Sequence, residues 1–177
     1  MIIFIGGIHA VGKTHLSTKA AEKIEFRHAT ASELIKLERS GQSWSREKRV
    51  SDVEENQRAL IRAVTAVRAR KEMLLLDGHF ALRGSAGTNT RIDVSVFKDM
   101  MPDGVVVLSA PSKLILQRLR ARGDESWTVD EIDRLASDEL EHSKQVAQEL
   151  EIPWHTLDSP TESELLLALK QIYERRN

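Results

Sequence analysis

The stretch that most limits how this chain can fold is Gly7-Ile8-His9-Ala10-Val11-Gly12-Lys13-Thr14. It follows the apolar run Ile2-Ile3-Phe4-Ile5 and precedes a helical pattern with Leu16 and Ala20 on its inner face. A glycine-framed turn between a buried strand and an amphipathic helix is the G-x-x-x-x-G-K-[ST] arrangement, in its confirming context. The glycines let backbone amides curl inward around phosphate oxygens, and the following helix aims its positive end at them. In that arrangement Lys13 reaches the β and γ oxygens and the Thr14 hydroxyl ligates magnesium. Gly7, Ile8, His9, Ala10, Val11, Gly12, Lys13, Thr14 and His15 are therefore the expected nucleotide contacts, with ATP and Mg2+ as the expected ligands. His9 either touches phosphate or simply lines the loop.

Two further apolar runs, Met73-Leu74-Leu75-Leu76 and Val105-Val106-Val107-Leu108, are continuous rather than alternating, as in strands buried on both faces of a parallel sheet. Weaker strands are expected at Phe26 to Ala29 and Ile152 to Thr156. Helical patterns separate them, so the chain is predicted to be α/β, with a doubly wound parallel sheet flanked by helices. Helix starts are marked by four Ser/Thr-x-x-Glu boxes, Thr30 with Glu33, Ser51 with Glu54, Thr128 with Glu131 and Thr161 with Glu164. After Ser51, the stripe Val53, Leu60, Val64 and Val67 is expected to be core. After Thr128, so is Val129, Ile132, Ala136, Leu140, Ser143, Ala147 and Leu150. Arg39 to Arg49 and Arg83 to Thr90 read as surface loops.

Composition narrows the function classes. The 177 residues suit one α/β domain, and 26 Lys plus Arg against 27 Asp plus Glu leave no global positive field for nucleic acid or anionic lipid. Cysteine is absent, which removes disulfides and thiolate chemistry and fits a cytoplasmic location. The six histidines show no metal-ligand spacing. Met1 to Ile5 is too short for a signal segment, and no apolar run reaches membrane-spanning length.

Leu74-Leu75-Leu76-Asp77-Gly78-His79 puts a carboxylate just past a buried strand, at the edge where doubly wound sheets bind ligands. Alone, Asp77 beside Gly78 reads as a turn residue. With a phosphate loop on a neighbouring strand, it reads as a group that orients magnesium or takes a proton from an acceptor hydroxyl.

Together, the phosphate loop, Asp77-Gly78 and the arginine-rich Arg118-Leu119-Arg120-Ala121-Arg122 resemble the adenylate-kinase-like nucleoside and nucleotide kinases, especially the compact archaeal-type adenylate kinases. The resemblance spans Met1 to about Leu157. It implies a five-stranded P-loop fold with strand order 2-3-1-4-5, within a single domain over 1–177. It also implies an acceptor-binding insertion at about 30–70 and a short arginine-bearing lid at about 118–128. Arg118 and Arg122, four residues apart on one helix face, would clamp the transferring phosphoryl group, with Lys13 and Asp77 completing the catalytic set and Thr14 and Asp77 holding the metal. Trp127 either covers a base or anchors the lid. Ser32, Gln57, Arg58 and His79 are the candidate acceptor contacts.

The expected activity is transfer of the ATP γ-phosphoryl group to a nucleoside monophosphate or related small acceptor, by a monomer or homodimer. The alternatives are a 5′-hydroxyl polynucleotide kinase, another small-molecule kinase, or a nucleotide-dependent switch. Nucleic acid enters as a partner only under the first alternative.

Overall fold

A computed structural model describes residues 1–40, 51–84 and 88–176. In chain order the elements are β1 (Ile2–Gly6), α1 (Lys13–Ile24), β2 (Arg27–Thr30), α2 (Ala31–Arg39), α3 (Ser51–Ala69), β3 (Leu74–Asp77), β4 (Ala81–Arg83) and β5 (Asn89–Arg91). They continue as α4 (Val94–Met100), β6 (Gly104–Ser109), α5 (Ser112–Ala121), α6 (Val129–Glu149), β7 (Trp154–Asp158) and α7 (Glu162–Arg176).

The three apolar runs and the two weaker strands form a five-stranded parallel sheet in the order β2-β3-β1-β6-β7. Counting only its own strands, this reads 2-3-1-4-5; the labels differ because an antiparallel hairpin, β4-β5, lies between the third and fourth. Strand boundaries fall within about two residues of those expected from the sequence. The continuous apolar character has the expected cause. On β1, Ile3 and Ile5 join one core with Val106 and Leu108, while Ile2 and Phe4 join the other with Val105 and Val107. Both faces are thus covered by helices, the P-loop kinase-like α/β arrangement.

The boxes at Thr30, Thr128 and Thr161 form with reciprocal bonds to Glu33, Glu131 and Glu164. The Ser51 side chain lies outside the described residues, as does the stretch 41–50 expected as a loop.

Three sequence expectations need correction. Arg83 to Thr90 is not all loop, since both its flanks belong to the β4-β5 hairpin; residues 85–87 lie outside the described set. The hairpin is held on α6, where Asp138 accepts from Asn89 Nδ2 at 2.6 Å and from Arg91. Val53 is 41% exposed, although Leu60, Val64 and Val67 are buried as expected. On α6 the buried face is displaced from the expected stripe. Ile132, Leu135, Glu139, His142, Ser143, Val146 and Ala147 are buried, whereas Leu140 is 38% exposed. The face was hidden because two of its positions, Glu139 and His142, are polar. Among the described residues, no helix is long and apolar enough to cross a membrane.

Candidate active site

The phosphate loop is shaped by backbone that ordinary side chains adopt reluctantly. Gly7 has φ 136° and Gly12, which precedes α1, has φ 112°. A Cβ at Gly7 would sit 2.6 Å from the Leu108 carbonyl oxygen, so the loop can run this close to β6 only without a side chain. Ala10 also takes the left-handed region, at φ 60°. The Lys13 side chain folds back into the loop, donating to the carbonyls of Gly7 and of Ile8, the latter at 3.1 Å. Only 9% exposed, its ammonium is pulled down by burial to about 8, against the opposing charges of Glu139 and Asp77.

Glu139, which sequence reasoning missed, lies beneath the loop. It is 1% exposed, and its carboxylate accepts three backbone amides, from Gly7 at 2.7 Å, Phe80 at 2.8 Å and Ala81 at 2.7 Å. One side chain on α6 therefore ties the start of the phosphate loop to the segment after Asp77. Burial raises its pKa, but it accepts every one of these bonds, and Lys13 supplies a compensating charge.

Asp77 ends β3, paired in register with Ile5 of β1 and Thr30 of β2. It is 3% exposed, and neither oxygen has an aligned hydrogen-bond partner among the described residues; His28 Nε2 approaches Oδ2 at 3.1 Å without hydrogen-bond geometry. A buried carboxylate without an aligned partner, sharing a cleft with the Thr14 hydroxyl, fits a magnesium ion held by few protein oxygens and completed by phosphates and water.

The cleft has a volume of about 360 Å³ and is bounded by the loop from Ile8 to His15, by Thr30, Ala31 and Ser32, by Asp77, Gly78 and His79, and by Arg122. Of the expected nucleotide contacts, Ile8, His9, Ala10, Gly12, Lys13, Thr14 and His15 line it; Gly7 and Val11 form the turn behind. His9 lies against His79, ring centroids 4.5 Å apart. Burial, reinforced by Lys13 and His9, pushes His79 down to about 2, so it is neutral.

The arginines part company. Arg122 lines the cleft. Arg118 instead donates to the carbonyls of Ala10 at 3.1 Å and Val11 at 2.9 Å, bracing the loop from its outer side rather than facing the cleft with Arg122. Trp127 is buried, with its indole N–H on Asp124 at 3.0 Å and the Arg83 guanidinium 3.9 Å from its ring centroid. It anchors the segment after α5 to the body.

Beside the cleft opens a second cavity of about 230 Å³, sharing Ala31, Ser32 and His79 with it. Ser32, Gln57 and His79 line this cavity. Arg58 does not: its guanidinium is exposed on α3 and pairs with Glu54 at 3.8 Å, one turn away, so the expected acceptor contact is corrected to a surface ion pair.

Comparison with known proteins supports this architecture. The family model described as AAA domain matches residues 6–136. The fold resembles a candidate kinase from Chloroflexus aurantiacus J-10-fl, with TM-score 0.63 at 14% identity over 98% of this chain and 96% of that one. It also resembles shikimate kinase from Aquifex aeolicus VF5, with TM-score 0.60 at 15% identity over 97% of each chain. A third similar structure is the YorR protein of Bacillus subtilis in complex with phosphorylated GDP, with TM-score 0.59 at 17% identity over 98% and 96%. No curated protein sequence matches.

Proposed function

The chain belongs to the AAA domain family, and we propose that it is an ATP- and magnesium-dependent phosphotransferase acting on a small acceptor. The observation that carries this reading is the convergence, in one cleft, of Lys13, Thr14, Asp77 and Arg122, with a separate cavity opening beside them. A nucleotide binder that only switches has no use for the second cavity; a kinase needs one to hold its acceptor in line. The solved structures named above, whose descriptions include shikimate kinase, lend the reading support by likeness of fold.

In this reading the loop amides and Lys13 bind the phosphates, and Thr14 and Asp77 hold the metal, which supplies charge neutralisation and orientation. Where the acceptor is an alcohol, Asp77 also takes the proton from its hydroxyl. Arg122 stabilises charge on the group in transfer, and Arg118 acts by holding the loop. The segment at about 118–128 serves as the lid and about 30–70 as the acceptor region. The adenylate-kinase resemblance supports a nucleotide acceptor; the alternative is a small hydroxyl compound.

The test is ADP release from ATP and magnesium in the presence of monophosphates, nucleosides, 5′-hydroxyl oligonucleotides and small alcohols in turn. Acceptor-stimulated release with a phosphorylated product supports the reading. Release that no acceptor stimulates, together with nucleotide-dependent partner exchange, would move the protein to the switch class.

A further inference from the structure

Arg122 lines the cleft, yet it is exposed, and among the described residues no hydrogen bond or ion pair holds its guanidinium. Its place at the cleft is therefore set by the backbone that carries it. That backbone starts from a firm end of α5: the amides of Arg122 and Asp124 both donate to the Leu119 carbonyl, at 3.0 and 3.1 Å, and Gly123 turns the chain at φ 80°. Beyond the turn, the link to α6 has little to rest on, because between Leu119 and Ile132 only Trp127 is buried. An exposed link with one buried residue opens at small cost in free energy unless something ties it down.

The tie comes from β4. Arg83 directs its whole guanidinium at this link: Nη1 donates to Ser126 Oγ at 2.9 Å, Nη2 donates to the Ser126 carbonyl at 2.6 Å and to Glu131 Oε1 at 3.0 Å, and Cζ lies 3.9 Å from the Trp127 ring centroid. Asp124 carries the hold back toward Arg122, since its carboxylate accepts from the Ser126 amide and hydroxyl and from the Trp127 indole N–H. Glu131 carries it toward α6, where its other oxygen accepts from the Thr128 amide and hydroxyl. One planar charged fork thus joins the turn after Arg122 to the start of α6, which the single ammonium of a lysine cannot do. The Arg83 side chain is 27% exposed, so these contacts are partly sheltered from water.

We propose that Arg83 is a positioning residue for the transfer: it holds the link between α5 and α6 against the body of the protein so that Arg122 faces the group in transfer. The inference rests on the phosphotransfer reading and adds to it a residue that lines neither cavity. Arg118 lies upstream of the link and keeps its own bonds to the phosphate loop. Loss of Arg83 therefore disturbs the reaction while leaving nucleotide binding in place.

Two readouts on the full chain test this. In the first, single-turnover ADP formation from ATP and magnesium is followed with the acceptor panel given above, water serving as acceptor where none stimulates. Arg83→Ala is expected to lower the rate by about tenfold or more, while the affinity for a fluorescent ATP analogue stays within about twofold. In an Arg122→Ala background the same substitution should change the rate by less than about twofold, because a residue acting through Arg122 has nothing left to position. The second readout needs no reaction. In the nitrogen–proton NMR spectrum of the nucleotide-free protein, the Trp127 indole N–H, identified by its loss in Trp127→Phe, should exchange with solvent faster in Arg83→Ala. The Trp154 indole N–H, bonded to Ser143 Oγ at 3.0 Å, should be unchanged and controls for folding. If Arg83→Ala shifts the Trp154 signal or loses the ATP analogue, Arg83→Lys, which keeps the charge without the fork, takes its place with the same directions expected. An unchanged rate in the folded variant, a loss as large without Arg122 as with it, or unchanged Trp127 exchange overturns the proposal. Failure of the underlying reading looks different: Lys13→Ala then forms ADP at the same rate as the unsubstituted protein.

Discussion

Lys13 and Glu139 face each other across the backbone of Gly7: one donates to its carbonyl and the other accepts its amide. The loop is thereby held from both sides before any nucleotide arrives, which lowers the ordering cost of binding. Replacing Glu139 by Gln turns an acceptor-only group into one with its own N–H donors, so at least one of the three buried amides loses its partner. Glu139→Gln should therefore cost about 2 kcal/mol of unfolding free energy, measurable in urea, and should weaken ATP binding with it. An unchanged transition would mean the carboxylate only fills space. Asp77→Asn, which keeps shape and removes charge, should lower turnover by about a hundredfold. Retention of activity within a few fold would return Asp77 to the role of a strand-end turn residue.

At the scale of elements, α5 and the residue that caps its C-terminus present three arginines with three different surroundings. Arg118 braces the loop carbonyls, Arg122 faces the cleft and Arg120 is exposed. Arg118→Ala should thus weaken ATP affinity by about tenfold, the scale of losing charged hydrogen bonds. Arg122→Ala should instead lower the single-turnover rate by about two orders of magnitude with little change in ATP affinity, as for charge stabilised mainly in the transition state. Arg120→Ala should change neither. Dissociation constants and single-turnover rates for the three variants check this pattern, and equal small effects in all three would remove any role for the end of α5 and its cap in the chemistry.

The same scale shows what could be read from the sequence. The three inner strands, β3, β1 and β6, were legible because each lies between two cores and so carries a continuous apolar run, whereas the edge strands β2 and β7 are mixed and partly exposed and gave a weaker signal. The hairpin was not, because Ala81-Leu82-Arg83 and Asn89-Thr90-Arg91 are too short and mixed for either period, and their hold comes from Asp138 on α6. Glu139 escaped for a related reason: on an amphipathic helix a glutamate reads as solvent-facing, and only the fold brings three orphan amides to it.

For the whole molecule, the parallel sheet sets what meets what. Registering Ile5 with Asp77, and Asp77 with Thr30, brings the phosphate loop, the carboxylate and the start of α2 to one sheet edge, though they are far apart in sequence. The phosphate half of that edge was written in one contiguous motif and was legible. The second cavity is assembled from β1, α2, α3, β4 and α4, and the family resemblance gave Arg58 a place there that the fold gives to apolar walls. The central claim is that this edge transfers phosphoryl groups, and the most direct measurement is ADP release from ATP and magnesium with and without the panel of monophosphate, nucleoside, oligonucleotide and alcohol acceptors, in the unsubstituted protein and in Lys13→Ala. The account predicts acceptor-stimulated release in the first and loss of at least about a hundredfold in the second, with the far-ultraviolet dichroism spectrum unchanged. Equal rates in the two proteins would contradict it.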